Sequence, residues 1–232
     1  MNLIFLGPPG SGKGTQSSKL ADLIGLDVIA TGNILRDEIK NSSKLGVIAK
    51  SYVEKGDLVP DDLILNIIKN KVKNINSFLL DGFPRNINQA IELERMLSSI
   101  EKKIDCVVNF EVPDDILVKR ILGRYVCKEC KEVYNSFFKD TKQKNICDIC
   151  GSNQLEKRID DNEETLRNRM KVFHKSNNEL CDFYKKNNLL ISINAIENEN
   201  FIFDKLKKLL KINWSSVIFN KSKIDNLKMV IS

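Results

Sequence analysis

Short apolar runs bounded by turn residues recur along the chain: LIFLG at 3–7, DVIAT at 27–31, FLLDG at 78–82, DCVVNFEV at 105–112 and LLISI at 189–193. Between them lie longer stretches with apolar residues at helical spacing, from Thr15 to Ile24, Ile34 to Ile39, Leu63 to Val72, Ile87 to Ile100 and Leu166 to Tyr184. Runs apolar on both faces, alternating with helices, predict a parallel sheet covered by helices. Five strands are enough for one doubly wound α/β domain, and 232 residues leave no need for a second independent core. Two segments break the alternation. Residues 30–59 read as all-helical between the second and third strands, and residues 123–159 carry aromatics, turn residues and paired cysteines. Both are expected as insertions at one edge of the sheet.

The first strand-to-helix junction carries chemistry. GPPGSGKGT at 7–15 places glycines at 7, 10, 12 and 14 around Lys13. Glycines let backbone N–H groups converge on phosphate oxygens, and the following helix N-terminus adds partial positive charge. Lys13 is expected to reach the β- and γ-phosphates of a nucleotide. In the common form of this loop, G-x-x-x-x-G-K-[ST], a hydroxyl residue follows the lysine and helps hold Mg²⁺. Here Gly14 stands in that place and Thr15 comes one residue later.

Four of the six cysteines form Cys127-x-x-Cys130 and Cys147-x-x-Cys150. That spacing is the sequence form of a Cys₄ zinc site, two tight turns each presenting two thiolates to a tetrahedral metal. Four cysteines fill the shell, so the metal is expected to be structural. Cys106 and Cys181 fall in apolar or helical stretches, as small buried hydrophobes do.

Composition narrows the setting. With 42% hydrophobic and 29% charged residues, the chain has ordinary globular usage, and no apolar run approaches the length of a membrane span. The N-terminus lacks a signal-peptide pattern, so a cytoplasmic location is expected. The net charge of +6 suits a polyanionic partner, but much of the excess sits in lysine-rich stretches at 205–211 and 221–228, which read as solvated helix surface. His174, the only histidine, is expected to be structural or exposed, and Glu163 and Glu164 to favour a helix start.

GPPGSGKGT, TGNILR at 31–36, KGDLVP at 55–60, DGFPRNINQA at 81–90, ILGRYVC at 121–127 and DDNEETLRNRM at 160–170 together resemble the adenylate kinase family, in its long-lid form with a zinc-binding lid. The similarity runs from residue 1 to about residue 212. In that family the loop reads G-x-P-G-x-G-K-G-T, so Gly14 is the family's own residue.

The resemblance implies a P-loop fold whose five-stranded parallel sheet belongs to a core domain at 1–29, 60–122 and 160–212. An AMP-binding insertion would occupy 30–59, a lid 123–159, and a C-terminal extension 213–232. The implied reaction is Mg·ATP + AMP = 2 ADP, serving adenine nucleotide homeostasis, with ATP, AMP and ADP as partners. Neither nucleic acid nor membrane is implied, and a monomer is expected. ATP would meet Gly10, Ser11, Gly12, Lys13, Gly14 and Thr15, with Arg120, Arg124, Val133, Tyr134 and Ala195. AMP would meet Thr31, Arg36, Asp57, Leu58, Val59, Gly82, Phe83, Pro84, Arg85 and Gln89, Gln89 reading the adenine edge. Arg158 and Arg169 would bridge the transferring group, and Asp81 would orient water around Mg²⁺. Lys13, Arg85, Arg124, Arg158, Arg169 and Asp81 would thus carry catalysis. Asp160 and Asp161 would organise the lid hinge and its arginines.

Asn33, Asn194-Ala195 and Glu197 depart from the family pattern. A GTP:AMP phosphotransferase or a UMP/CMP kinase is the nearest alternative, and a zinc-ribbon nucleic-acid-binding protein a remote one.

Overall fold

A computed structural model describes residues 1–211, and the extension at 213–232 lies outside them. The chain runs β1 (Asn2–Leu6), α1 (Lys13–Ile24), β2 (Asp27–Ala30), α2 (Thr31–Lys40), α3 (Lys44–Lys55), α4 (Asp61–Val72), β3 (Phe78–Asp81) and α5 (Ile87–Ser98). It continues β4 (Cys106–Glu111), α6 (Asp114–Leu122), β5 (Arg124–Cys127), β6 (Val133–Asn135), β7 (Leu155–Glu156), α7 (Glu163–Lys186), β8 (Leu190–Asn194) and α8 (Glu199–Leu209). The five apolar runs become one parallel sheet in the order β2-β3-β1-β4-β8.

Strand alternation divides the core between the two faces of the sheet. Ile4 and Leu6 of β1 pack with Leu80, Val107, Ile68, Leu93 and Leu180, under α4, α5 and α7. Leu3 and Phe5 pack with Leu79, Val108, Phe110, Leu20 and Leu206, under α1 and α8. All five residues of β1 are buried, as a strand covered on both sides requires.

Helix starts differ in capping: α2, α4 and α6, like α1, have no side-chain cap, whereas others do. The side chains of Asn86, Asn162 and Asn198 cap α5, α7 and α8 by accepting from backbone amides, and Glu163 and Glu164 occupy the first turn of α7. α1 has no such cap. Its N-cap is Gly12, in the left-handed conformation, so its first-turn amides have no side-chain acceptor and face the cleft described below.

The two insertions leave from opposite sides of the sheet, not together at one edge. α2 and α3 follow the end strand β2, whereas β5, β6 and β7 lie between α6 and α7 on the β4–β8 side. Their common ground is the cleft over the carboxyl ends of the strands, which both insertions line. The second insertion is a three-stranded antiparallel sheet, β6-β5-β7, whose core is little more than Cys127, Tyr134 and Cys147 with Tyr125 and Leu155 against them. Among the described residues, no helix is long and apolar enough to cross a membrane.

Candidate nucleotide site and cysteine centre

The cleft holds about 1390 Å³ and is lined by the 7–15 loop, α2, the 56–59 and 81–85 segments, and the lid strands. Gly10, Ser11, Gly12, Lys13, Gly14 and Thr15 all reach it. Gly10 takes φ +81°, and a Cβ there would stand 2.9 Å from the Ile121 side chain, so this close approach of loop to α6 requires glycine. Lys13 folds back over the loop: its ammonium donates to the carbonyls of Gly7 (2.7 Å) and Pro8 (2.8 Å) and to Ser11 Oγ (3.2 Å). Burial pulls its pKa down to about 8 against the opposing pull of Asp81. Asp81 ends β3 in this same hollow, and its carboxylate makes no hydrogen bond to any described residue. Burial raises its pKa, while Lys13 and Arg85 oppose that rise. A side chain at Gly14 would begin 3.5 Å from Asp81 Oδ2, so the glycine keeps carboxylate and loop facing each other without an intervening group.

Six arginines surround this hollow, and their partners differ. Asp160 is 3% exposed and accepts from both Arg36 (3.4 Å) and Arg169 (2.7 Å), leaving its Oδ1 without a partner. Burial would raise its pKa, but Arg36 and Arg169 hold it below the usual carboxylate range. Asp161 takes Arg124 through both oxygens, with Nε at 2.7 Å from Oδ2. Arg120 donates to the carbonyls of Ala195 (2.9 Å) and Ile196 (2.8 Å), and its guanidinium lies 6.0 Å from the Phe138 ring centre. Among the described residues the Arg85 guanidinium uses only Nε, on the Gly82 carbonyl at 2.8 Å. Arg158 has neither ion pair nor hydrogen bond to a described residue, and burial followed by Arg124 and Arg36 lowers its pKa to about 9. So much positive charge in one place is the signature of a polyanion site.

The residues expected around AMP line one side. Thr31 hydroxyl donates to the Gly82 carbonyl at 3.1 Å, and Asp57, Leu58, Val59, Gly82, Phe83 and Pro84 complete the wall. Gln89 is 2% exposed, and its amide is engaged: Oε1 accepts from Arg85 N (2.7 Å) and Nε2 donates to Asp61 (2.6 Å). In this state Gln89 holds the Arg85 segment. Ala195 does not line the cleft: it is fully buried, its amide donates to the Glu111 carbonyl, and Ile196 and Glu197 form the wall instead. Val133 and Tyr134 reach the cleft from the lid.

Three contributors were not legible in the sequence. Asp61 supports Gln89, Asn33 accepts from Arg36 at 2.6 Å, and Phe138 underlies Arg120. Asp61 follows a proline at a helix start, which signals a first-turn acid and gives no hint of a partner 28 residues away. His174 pairs with Asp114 at 3.0 Å on the surface, outside the cleft.

Cys127, Cys130, Cys147 and Cys150 converge with their sulfurs all within 4.8 Å of one another, which makes them a group able to hold a metal ion. Cys127 and Cys147 are buried, and Cys130 and Cys150 exposed. Four sulfurs this close cannot all be thiolates without a cation between them.

A family model described as adenylate kinase matches residues 5–189. The chain is 43% identical to the adenylate kinase of Methanosarcina mazei over 213 residues, 90% of this chain and 98% of the relative. It is 45% identical to that of Caldicellulosiruptor saccharolyticus, covering 91% and 98%, and 43% identical to that of Rickettsia akari, covering 92% and 100%. Likeness of that degree, end to end with these relatives and joined to a phosphate loop facing an arginine-lined cleft, places the chain in the adenylate kinase family.

Proposed function

We propose that the protein is an adenylate kinase, moving the terminal phosphoryl group of Mg·ATP reversibly to AMP to give two ADP. The observation that carries the reading is one cleft, lined by a phosphate loop with Lys13 and by six arginines, larger than the roughly 300–1,000 Å³ of an ordinary single-ligand pocket. Two polyanions must be brought together there, and fixed cations offset their repulsion. An AMP oxygen attacks the γ-phosphorus as the bond to the β-phosphate oxygen breaks. The attacking oxygen is already anionic, so no side chain need act as a base. Positioning and charge supply the catalysis.

In this reading Gly10 to Thr15 and Lys13 hold the ATP phosphates, with Arg120 and Arg124 beside them and Val133 and Tyr134 as the lid wall. Arg36 and Arg85 take the AMP phosphate between Thr31, the 57–59 backbone and the 82–85 segment, and Arg158 and Arg169 converge on the transferring group. Asp81, whose carboxylate makes no hydrogen bond among the described residues, is suited to hold water around an Mg²⁺ ion entering with ATP. That ion supplies charge neutralisation at the phosphate oxygens. Residues 30–59 and 123–159 serve as AMP-binding and lid domains on the core, closing to exclude water. A cytoplasmic monomer is sufficient for this chemistry. ADP formation with each nucleotide pair tests the proposal. AMP inactive with both ATP and GTP would overturn it, preference for UMP or CMP would move the chain to a sister activity, and salt-sensitive RNA or DNA binding without transfer would favour a zinc-ribbon binder.

Lys13 gives the site a pH signature. Its ammonium is depressed to about 8 in the free protein, and a bound polyphosphate restores the charge by Coulomb attraction. Nucleotide binding should therefore take up a proton above that pH, and affinity should weaken by up to about tenfold per pH unit between about 8 and 10. Calorimetry at pH 9 in two buffers of different ionisation heat checks this, and proton-neutral binding would refute it.

We assign the cysteine centre to structural zinc, because the four sulfurs leave no open position and the lid has scarcely any core of its own. Cys147→Ser should retain less than one zinc per chain and lower Tm by about 5 °C. An unchanged Tm, with parent and variant alike free of zinc, would sink the assignment.

A further inference from the structure

Tyr134 stands on β6 at the cleft wall, yet it is only 1% exposed. Its ring stacks on Tyr125, 5.6 Å between centres and 18° between planes, with Lys139 Nζ 5.9 Å from its centre. The hydroxyl turns away from the cleft into the cysteine cluster, 3.3 Å from Cys147 Sγ. The backbone amide of Asp148 donates to the same hydroxyl oxygen at 2.7 Å. A metal-bound thiolate has no proton to give, and the hydroxyl oxygen already accepts from Asp148, so in the metal-loaded centre the Tyr134 O–H is the donor to the Cys147 sulfur.

Tyr134 belongs to the hairpin of the first cysteine pair, whereas Cys147 and Asp148 belong to the turn of the second. A metal would join these halves through sulfur. The tyrosine joins them independently and belongs to the strand that faces the nucleotide cleft.

We propose that the Tyr134 hydroxyl is a positioning group of the metal centre, donating to the Cys147 thiolate so that the metal is gripped more tightly and β6 is registered against the second cysteine turn. The proposal rests on the zinc reading of the four cysteines. A hydrogen bond to a ligating sulfur disperses its charge and orients it, and loss of such outer partners weakens metal binding about 10- to 100-fold in other sites.

Tyr134→Phe removes the O–H and keeps the ring. Zinc(II) affinity of the full chain, read by competition with a chromophoric chelator, should fall at least about tenfold. In the cobalt(II)-substituted protein the sulfur-to-metal charge-transfer band should move to longer wavelength, because a thiolate without its donor gives up charge more easily. Tyr125→Phe is the control: its hydroxyl bonds Asp140 instead, so zinc affinity should stay within twofold of the parent. Equal zinc affinity and an unmoved band in Tyr134→Phe would overturn the proposal, as would an equal loss in Tyr125→Phe or loss of the folded core in Tyr134→Phe. A parent chain that fails to hold one zinc would defeat the underlying metal reading as well, which separates the two failures.

Discussion

Lys13→Met is expected to reduce ADP formation by about 10³-fold while leaving Tm at pH 7 no lower than that of the parent. The loss follows from position. Lys13 fills the hollow of its own loop, on the Gly7 and Pro8 carbonyls and Ser11 Oγ, and arriving phosphate oxygens would draw the ammonium from those acceptors without any change of backbone. A charge already held beside the phosphate position, so that only the side chain shifts, is worth about 3–4 kcal/mol in comparable sites. The stability expectation comes from linkage. The folded pKa, about 8, lies below the unfolded value of 10.5, so the cost of burying the charge is fully present below about pH 8 and is relieved as pH rises towards 10.5. At pH 7 methionine removes that cost together with the three hydrogen bonds, whose acceptors sit at the cleft surface within reach of water. Near-parental activity would refute the assignment, and inactivity with a collapsed Tm would make Lys13 structural.

The separation between chemistry and stability at Lys13 reflects how much of the site is local in sequence. The loop, its glycines and its helix start lie within one short segment, and all five strand runs fall within about one residue of β1, β2, β3, β4 and β8. Cysteine spacing likewise anticipates a cluster, because metal ligation needs a short, specific turn. Charge pairing behaves differently. Arg36 and Asp160 are 124 positions apart, and nothing in either segment reveals that one buried carboxylate holds both Arg36 and Arg169. The expected role of Asp160 and Asp161 as organisers of the arginines agrees with these contacts, but that expectation came from the family pattern. Side-chain direction was illegible too. Tyr134, expected to touch ATP, lies at the cleft wall but turns its hydroxyl to Cys147, and Ala195, just past β8, is withdrawn behind Ile196 because its amide bonds the Glu111 carbonyl in the core. The sidedness of the insertions also escaped the pattern, since apolar runs identify strands without giving their order.

Differences among the arginines lead to the second large effect. Arg36, Arg124 and Arg169 are held by aspartates, and Arg120 by two carbonyls, so an incoming phosphate must compete with existing partners. Arg85 has no ion pair among the described residues. Its Nε is anchored on Gly82 and its amide on Gln89, while Asn86 and Gln89 both donate to Asp61, leaving both terminal guanidinium nitrogens open to the cleft. The backbone is therefore clamped and the fork is free, the arrangement expected of a preorganised phosphate donor. Lysine keeps the charge but has neither the planar fork nor the Nε anchor. Arg85→Lys is expected to lower kcat/KM by about 10²- to 10³-fold, with kcat carrying much of the loss because the bidentate contact strengthens as charge develops. Arg167→Lys provides the comparison. Arg167 sits two residues from Arg169 on α7, but its side chain is 78% exposed and among the described residues pairs only with Glu163, so activity should remain within about twofold of the parent. Parental kcat in Arg85→Lys would show that charge alone suffices at this position, and an equal loss in Arg167→Lys would show that arginine content, not the geometry of the 82–89 clamp, governs the rate.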